Sequence, residues 1–448
     1  MKVAKFGGSS VASATQIKKV GSIIQSDPER KIIVVSAPGK RNDADYKVTD
    51  LLLNLGHAYV NDDSYDDAYN KIMARFEDII HNLNISDAIL NDIKQSIDSI
   101  LTNDMSDDMK LEVIKSIGED SSAKILSAYL NTIDIKAQYV NPEDAGIIVS
   151  NEPGNAQILP ESFPKLYALR ERDGVLVIPG FFGYTSEGQL ITFSRGGSDI
   201  TGSIVAAGIQ AKLYENFTDV DSVCTVNPQI VENPKEITTL TYKEMRELSY
   251  AGFSVFHDEA LIPAFKEKIP VCIKNTNNPS APGTMIVSEK EPTKDCVSGI
   301  ASDDGFCSLY VSKYLMNREL GFGRKLLQIL EDESLSYEHA PSGIDDISVI
   351  LREDQLTPTI EKNIMQRIQD ELDVDTISIT HDLALIMVVG EGMTSTVGVA
   401  HKATTALAKA DVNIEMINQG SSEVSMMFGI QSEGLERAIQ SLYRVYFD

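Results

Sequence analysis

The feature that most constrains the fold is an internal repeat in the C-terminal third of the chain. Met316 and Met393 stand 77 positions apart, and the same spacing links Gly321 to Gly398, Leu330 to Leu407, Glu338 to Glu415, Gly343 to Gly420 and Ser348 to Ser425. No gap is needed to bring the copies into register, so one supersecondary unit is present twice. The first copy reads as a strand over 308–312, a helix over 322–332, strands over 335–339 and 347–351, a helix over 359–372 and a strand over 376–379. That is the β-α-β-β-α-β order of a ferredoxin-like module. The second reads as a strand over 385–389, a helix over 396–410, strands over 413–417 and 424–428, and a helix over 435–443. It ends one strand short. The segment 296–301 is expected to supply that strand and to close the second module around the first.

Upstream of about residue 290 the pattern changes. Apolar runs over 32–35, 175–178, 190–193, 213–215 and 271–273 alternate with helical periodicity. Such runs suit strands buried on both faces, in an open, mostly parallel sheet sandwiched between helices. Residues 69–83 and 89–101 follow the 3.6-residue period in an acidic helical block whose charges are expected to face solvent. The charged, proline-containing stretch 288–295 reads as a linker. The expected domains are therefore 1–290 and 296–448. The latter divides into modules of about 303–380 and 381–448, with 296–302 completing the second.

Bulk properties exclude several classes of function. The 448 residues call for two or three domains. A formal net charge of −26 argues against nucleic acid or an anionic membrane as partner. An anionic substrate must then be held by a few placed cations. Cys224, Cys272, Cys296 and Cys307 have no C-x-x-C spacing, which points to buried reduced thiols rather than zinc or disulfides. The chain has no apolar run of about 18 residues and no secretory signal pattern, so a cytoplasmic location is expected.

The chemistry is concentrated in loops that follow strands. Lys5-Phe6-Gly7-Gly8-Ser9-Ser10 joins an apolar strand to a helical pattern over 11–25. Glycines there admit an anion to the backbone amides and helix start, and Lys5 adds a point charge. The loop is not a Walker A motif. Ser194-Arg195-Gly196-Gly197-Ser198-Asp199 repeats the logic ahead of a helix over 200–208, and Arg195 offers a fork for a carboxylate or phosphate. Asp199 suits a substrate ammonium, a metal or the helix N-terminus. Ser36-Ala37-Pro38-Gly39-Lys40 and Phe217-Thr218-Asp219-Val220-Asp221 complete a set of four loops. Together they suggest phosphoryl transfer to a small zwitterionic acceptor, carried by lysine, arginine, backbone amides and Mg²⁺. A carboxylate acceptor needs no general base, and His257, beside Asp258 and Glu259, reads as a helix-start cluster. Gly321-Phe322-Gly323 lacks the third glycine of a dinucleotide loop and recurs at Gly398 as a module turn.

KFGGSS, SRGGSDIT, FTDVD and the paired modules resemble, over essentially the whole chain, the aspartate kinases of the amino acid kinase family with tandem ACT domains. The resemblance implies an amino acid kinase fold followed by two ACT modules. It also implies ATP-dependent phosphorylation of the side-chain carboxylate of L-aspartate to 4-phospho-L-aspartate, the entry to lysine, threonine and methionine synthesis. ATP with Mg²⁺ would be the co-substrate, with no tightly bound cofactor and no metal held by the protein itself. By the same resemblance, Lys5, Arg195 and Asp199 are the catalytic positions. Ser36, Thr49, Glu119, Arg195, Ser198 and Asp199 would bind aspartate, and Lys5, Gly7, Gly8, Ser9, Thr218 and Asp219 would bind ATP. Met316, Gly321, Phe322, Gly323, Glu338 and Ser342 would bind an effector, lysine and/or threonine, in a homodimer joined through its ACT modules. The chain departs from the commoner pattern at Cys224, at Asn227-Pro228-Gln229 and at Ser254, all on the nucleotide side. Glutamate, acetylglutamate or a nucleotide would be alternative acceptors, and an amino-acid sensor without catalysis the non-enzymatic alternative. Glu119 and Asp199 favour a free α-amino group, and the presence of Lys5 and Arg195 weighs against a sensor.

Overall fold

A computed structural model describes residues 1–253, 256, 259–291, 296–420 and 424–448. Ser254, His257, Asp258 and part of the expected linker lie outside the described residues. The chain divides into two compact units. The first holds Met1–Val223, Glu236–Arg246 and Ser254–Glu291, and the second Cys224–Lys235, Glu247–Phe253 and Pro292–Asp448.

The strands up to residue 287 are β1 (Lys2–Phe6), β2 (Arg30–Val35), β3 (Ala137–Tyr139), β4 (Val175–Pro179), β5 (Phe182–Tyr184), β6 (Leu190–Thr192), β7 (Leu213–Thr218), the two-residue β8 (Val223–Cys224) and β9 (Glu236–Ile237), β10 (Thr239–Thr241), β11 (Val271–Asn275) and β12 (Thr284–Val287). The helices are α1 (Ala14–Gln25), α2 (Val48–Val60), α3 (Asp66–Leu83), α4 (Ala88–Thr102), α5 (Asp107–Thr132), α6 (Pro142–Ala145), α7 (Ser162–Ala168), α8 (Gly197–Gly208), α9 (Tyr242–Tyr250) and α10 (Ile262–Lys266).

In the first unit eight strands form one sheet in the order β10-β12-β11-β7-β1-β2-β4-β3. Neighbours are parallel except β11 and β12. β1 lies between β2 and β7, with Lys5 beside Val34 and Asn216, and its buried residues Val3, Ala4 and Phe6 explain why the run carries no polar alternation. Phe6 stacks on Phe217 at 4.8 Å between ring centroids. Ile17, Val20, Ile23 and Ile24 of α1 face this core, and α1 approaches α5 so closely that a Cβ on Gly21 would lie 2.8 Å from Tyr129. The helix expected from residue 11 begins instead at Ala14, because the Ser13 hydroxyl accepts the Gln16 amide as an N-cap and Gly8–Val11 form a 3-10 turn. The run over 190–193 is also corrected. It is not in the main sheet but pairs, as β6, with β5 in a two-stranded hairpin.

In the second unit the strands are β13 (Gly299–Ser312), β14 (Tyr337–His339), β15 (Asp346–Arg352), β16 (Thr376–Val389), β17 (Met416–Asn418) and β18 (Ser425–Gln431). The helices are α11 (Phe322–Asp332), α12 (Pro358–Leu372), α13 (Val399–Lys409) and α14 (Leu435–Tyr446). The strands form one antiparallel sheet in the order β14-β15-β13-β16-β18-β17. The segments expected as separate strands are fused. β13 runs from 299 to 312 and β16 from 376 to 389, pairing with each other in both modules. Gly299–Asp303 is the strand beside Leu385–Val389. The two apolar cores repeat position by position: Leu309, Phe322, Leu326, Leu330, Val349 and Leu351 fill one, and Ile386, Val399, Ala403, Leu407, Met426 and Phe428 the other.

Candidate active site

The loops singled out in the sequence meet at the C-terminal ends of the parallel strands, where ligands bind in open α/β sheets. β1 ends in Lys5 and Phe6 and turns at Gly7, whose amide donates to the Phe217 carbonyl at 3.0 Å. Gly8 lies against the loop after β2: its carbonyl accepts the Gly39 amide at 2.9 Å. A Cβ on Gly39 would come within 2.8 Å of the Gly8 backbone, and one on Gly8 within 3.0 Å of the Ala37 carbonyl. Only glycine allows the two backbones to meet this way. Ser9 is half-buried beside them, and the buried Ser10 hydroxyl pairs with Thr276 at 2.7 Å.

Lys5 is buried, and its ammonium lies 2.6 Å from Asp199 Oδ1 in the first turn of α8. Asn216 on β7 donates to the same oxygen at 2.5 Å, and the Tyr214 hydroxyl donates to the Asp199 carbonyl at 3.2 Å. Asp199 is thus a partner of Lys5 in this structure, and it also stands in the first turn of α8, the helix-terminal place the sequence allowed it. Ser198, also buried, packs against the end of β4, where a Cβ on Gly180 would come within 2.7 Å of it. Gly196 takes a φ of 75° at the start of α8, a left-handed conformation that suits glycine. Arg195, one residue earlier, is exposed.

Glu119 enters from α5. A Cβ on Gly118 would come within 2.5 Å of Ala37, so α5 seats directly on the second loop. Glu119 is buried, Oε2 has no hydrogen-bond partner, and burial pushes its pKa up to about 8. The Ala37 backbone, the Ser198 hydroxyl and the Lys5 ammonium act in the opposite direction but do not offset the desolvation. A carboxyl buried in this way holds its proton more tightly than a solvated one, and a cation brought against it would favour its ionised form. Ser36 and Thr49 are half-buried at the end of β2 and the start of α2, where the Val48 amide donates to the Pro38 carbonyl at 3.0 Å.

Thr218 and Asp219 close β7, with the Thr218 hydroxyl donating to Asp219 Oδ1 at 3.2 Å. Asn275 holds the Asp219 carbonyl and, with Asn278, the Asp221 carboxylate. Asn216 and Asn275 were missed in the sequence; each follows a charged residue, Glu215 and Lys274, in the C-terminal half of its strand. Glu112 and Arg75 were missed as well. Arg75 is a correction, because it is buried inside the helical block whose charges were expected to face solvent.

The effector positions lie in the second unit. Met316 and Phe322 belong to the first module's core. Gly321 caps α11 with a φ of 79°, and Gly323 has open space around it. Glu338 on β14 accepts from the Tyr250 hydroxyl, and Arg352 lies 3.6 Å from its other oxygen. Ser342 lines a cavity of about 220 Å³ with Asp346, Ser348 and Glu415.

Comparison with known proteins matches this arrangement. Residues 1–275 fit the amino acid kinase family and residues 386–446 an ACT domain. The chain is 57% identical to aspartokinase 3 of Bacillus subtilis, across all of this chain and 99% of that protein. It is 29% identical to the chloroplastic aspartokinase 1 of Arabidopsis thaliana, across all of this chain and 80% of that one. The crystal structure of Clostridium acetobutylicum aspartate kinase, described as an allosteric enzyme, superposes over the full length of both chains with a TM-score of 0.88 at 41% identity. With a mostly parallel sheet that brings Lys5, Asp199 and Glu119 together and a doubled module following it in sequence, the chain belongs to the amino acid kinase family, among its aspartate kinases.

Proposed function

We propose that the protein transfers the γ-phosphoryl group of ATP to the side-chain carboxylate of L-aspartate, giving 4-phospho-L-aspartate for lysine, threonine and methionine synthesis. The observation that carries this reading is the convergence of the Lys5–Asp199 pair, the Gly7-Gly8 turn and the buried Glu119 carboxyl on one end of the sheet. The acceptor carboxylate is already ionised, so no base is required. The barrier lies in bringing two anions together. Lys5, oriented by Asp199, neutralises charge on the transferring phosphoryl group, and the backbone of Gly7, Gly8 and Ser9 cradles the phosphates. Thr218 and Asp219 bind the nucleoside side, and Mg²⁺ enters with ATP as co-substrate. Arg195 clamps the aspartate α-carboxylate, Glu119 takes its ammonium, and Ser36, Thr49 and Ser198 fix the remaining polar groups. That division orients the side-chain carboxylate toward the γ-phosphorus.

The catalytic domain in this reading is 1–290 and the regulatory region 296–448. Lysine and/or threonine would bind the ACT modules at Met316, Gly321, Phe322, Gly323, Glu338 and Ser342, in a cytoplasmic homodimer. No described helix is long and apolar enough to cross a membrane. A coupled ADP-release assay with ATP and Mg²⁺ tests the reading against a panel of aspartate, glutamate and acetylglutamate, with and without lysine and threonine. Turnover is expected with aspartate alone and is expected to fall when an effector is added. Turnover with glutamate but not aspartate would replace the acceptor.

A further inference from the structure

The loop between β2 and α2 is exposed along most of 40–47, yet it is pinned from below by one buried side chain. Arg75 on α3 is 4% exposed. One arm of its guanidinium donates to the Gly39 carbonyl at 3.0 Å, and the other to Asp45 Oδ2 at 2.5 Å and the Tyr46 carbonyl at 3.2 Å. Arg41 grips the same Asp45 carboxylate from within the loop, through its amide and its Nε, both at 2.9 Å. The Lys71 ammonium, one turn earlier on α3, lies 5.1 Å from the centre of the Tyr46 ring.

Burying a guanidinium costs free energy, and here its Nε is left without an acceptor. An apolar residue would pack the helical layer at lower cost, so packing alone does not account for the arginine. Its partners do. All three belong to one loop, and Gly39, which it holds by the carbonyl, donates its own amide to Gly8. Arg75, Gly39 and Gly8 are consecutive links from a helix of the peripheral layer to the glycine turn. The planar fork reaches two carbonyls and a carboxylate at once, which a lysine cannot do.

We propose that Arg75 is a positioning residue for the nucleotide: through Gly39 it fixes the height of the Gly7-Gly8 turn over which the phosphates sit. The inference rests on the reading of that turn as the phosphate cradle. Arg75 does not touch the reacting atoms. Its loss therefore moves the nucleotide terms of the rate more than those for aspartate, whose proposed contacts Ser36 and Thr49 flank the pinned segment.

The test compares wild type with Arg75→Lys, Arg75→Gln and Asp45→Asn in the full chain. Amide hydrogen exchange is followed over the peptides 5–11 and 36–47, and KM is measured separately for ATP and aspartate. Arg75→Gln is expected to speed exchange in both peptides and to lower kcat/KM for ATP at least tenfold, with KM for aspartate within about threefold of wild type. Arg75→Lys should do the same more weakly, and serves if the glutamine variant does not fold. Asp45→Asn should loosen 36–47 and raise KM for ATP less than either. Faster exchange confined to 36–47, with kcat/KM for ATP unchanged, would overturn the proposal. Equal losses for both substrates would also overturn it. If the wild type fails to turn over aspartate, the functional reading fails instead, and the exchange data still decide whether Arg75 controls the turn.

Discussion

Lys5 Nζ lies 2.6 Å from Asp199 Oδ1, joining the end of the central strand to the first turn of α8. Breaking such a pair from either side leaves the other, largely buried charge uncompensated. Asp199→Asn is expected to lower kcat about 100-fold, in the range seen when one preorganised charge-stabilising group is removed. The Lys5→Ala/Asp199→Ala double variant should be no slower than Lys5→Ala alone, because the two act as a unit. Steady-state kinetics on the four proteins checks both statements.

Glu119 gives the site a pH signature. Its ordinary value of 4.5 is raised to about 8 by burial, so between those limits the folded protein binds a proton that the unfolded chain releases. Unfolding free energy therefore falls as pH rises through that window, and Glu119→Gln should flatten the decline and be the more stable protein at pH 8. Denaturant titrations at pH 5 and pH 8 read this directly. Aspartate binding near pH 7 should release a proton as the carboxyl ionises against the ammonium. The calorimetric enthalpy should then vary with the ionisation enthalpy of the buffer.

Glu112, two turns before Glu119 on α5, ties that helix to β6. Its Oε1 accepts the Thr192 amide at 2.7 Å, the Thr192 hydroxyl at 2.6 Å and the Gly154 amide at 3.0 Å, while Lys115 holds Oε2. β6 leads straight into Arg195, so in the proposed reading the tie would set the aspartate side of the site. Glu112→Gln keeps one acceptor oxygen for Thr192 and Gly154 and should stay within about threefold of wild type. Glu112→Ala leaves buried donors unsatisfied, each costing about 1–3 kcal/mol. It should lower the melting temperature and raise KM for aspartate about tenfold.

Glu338 tests the regulatory reading. It is held by Tyr250 and faced by Arg352, so an effector ammonium has to compete for it. Glu338→Gln is expected to raise the half-inhibitory effector concentration at least tenfold with the uninhibited rate intact. Inhibition curves with lysine and with threonine would show it.

The doubled module could be read from the sequence because the same core positions recur at one spacing, and Leu326 and Ala403 or Val349 and Met426 fill equivalent places. The fusion of its strands could not. Asp303-Asp304-Gly305 and His381-Asp382 look like turns, but the chain passes through them, with a register shift between Asp303 and Phe306 and positive φ at Gly305 and Asp382. α5 was invisible for a different reason. It buries Glu112, Ser116, Glu119, Ser121 and Ser127 along with its apolar residues, so no apolar stripe marks it. The glycine turns and Lys5 announced themselves through local chemistry. Arg75 and Glu112 act across tens of residues, and nothing near them in the sequence names their partners.

The most direct test of the central claim is to trap the product. Wild-type protein incubated with ATP, Mg²⁺, L-aspartate and hydroxylamine should yield aspartyl hydroxamate in proportion to ADP, and Lys5→Ala should yield almost none. ADP without hydroxamate, or equal hydroxamate from the Lys5→Ala variant, would contradict the account.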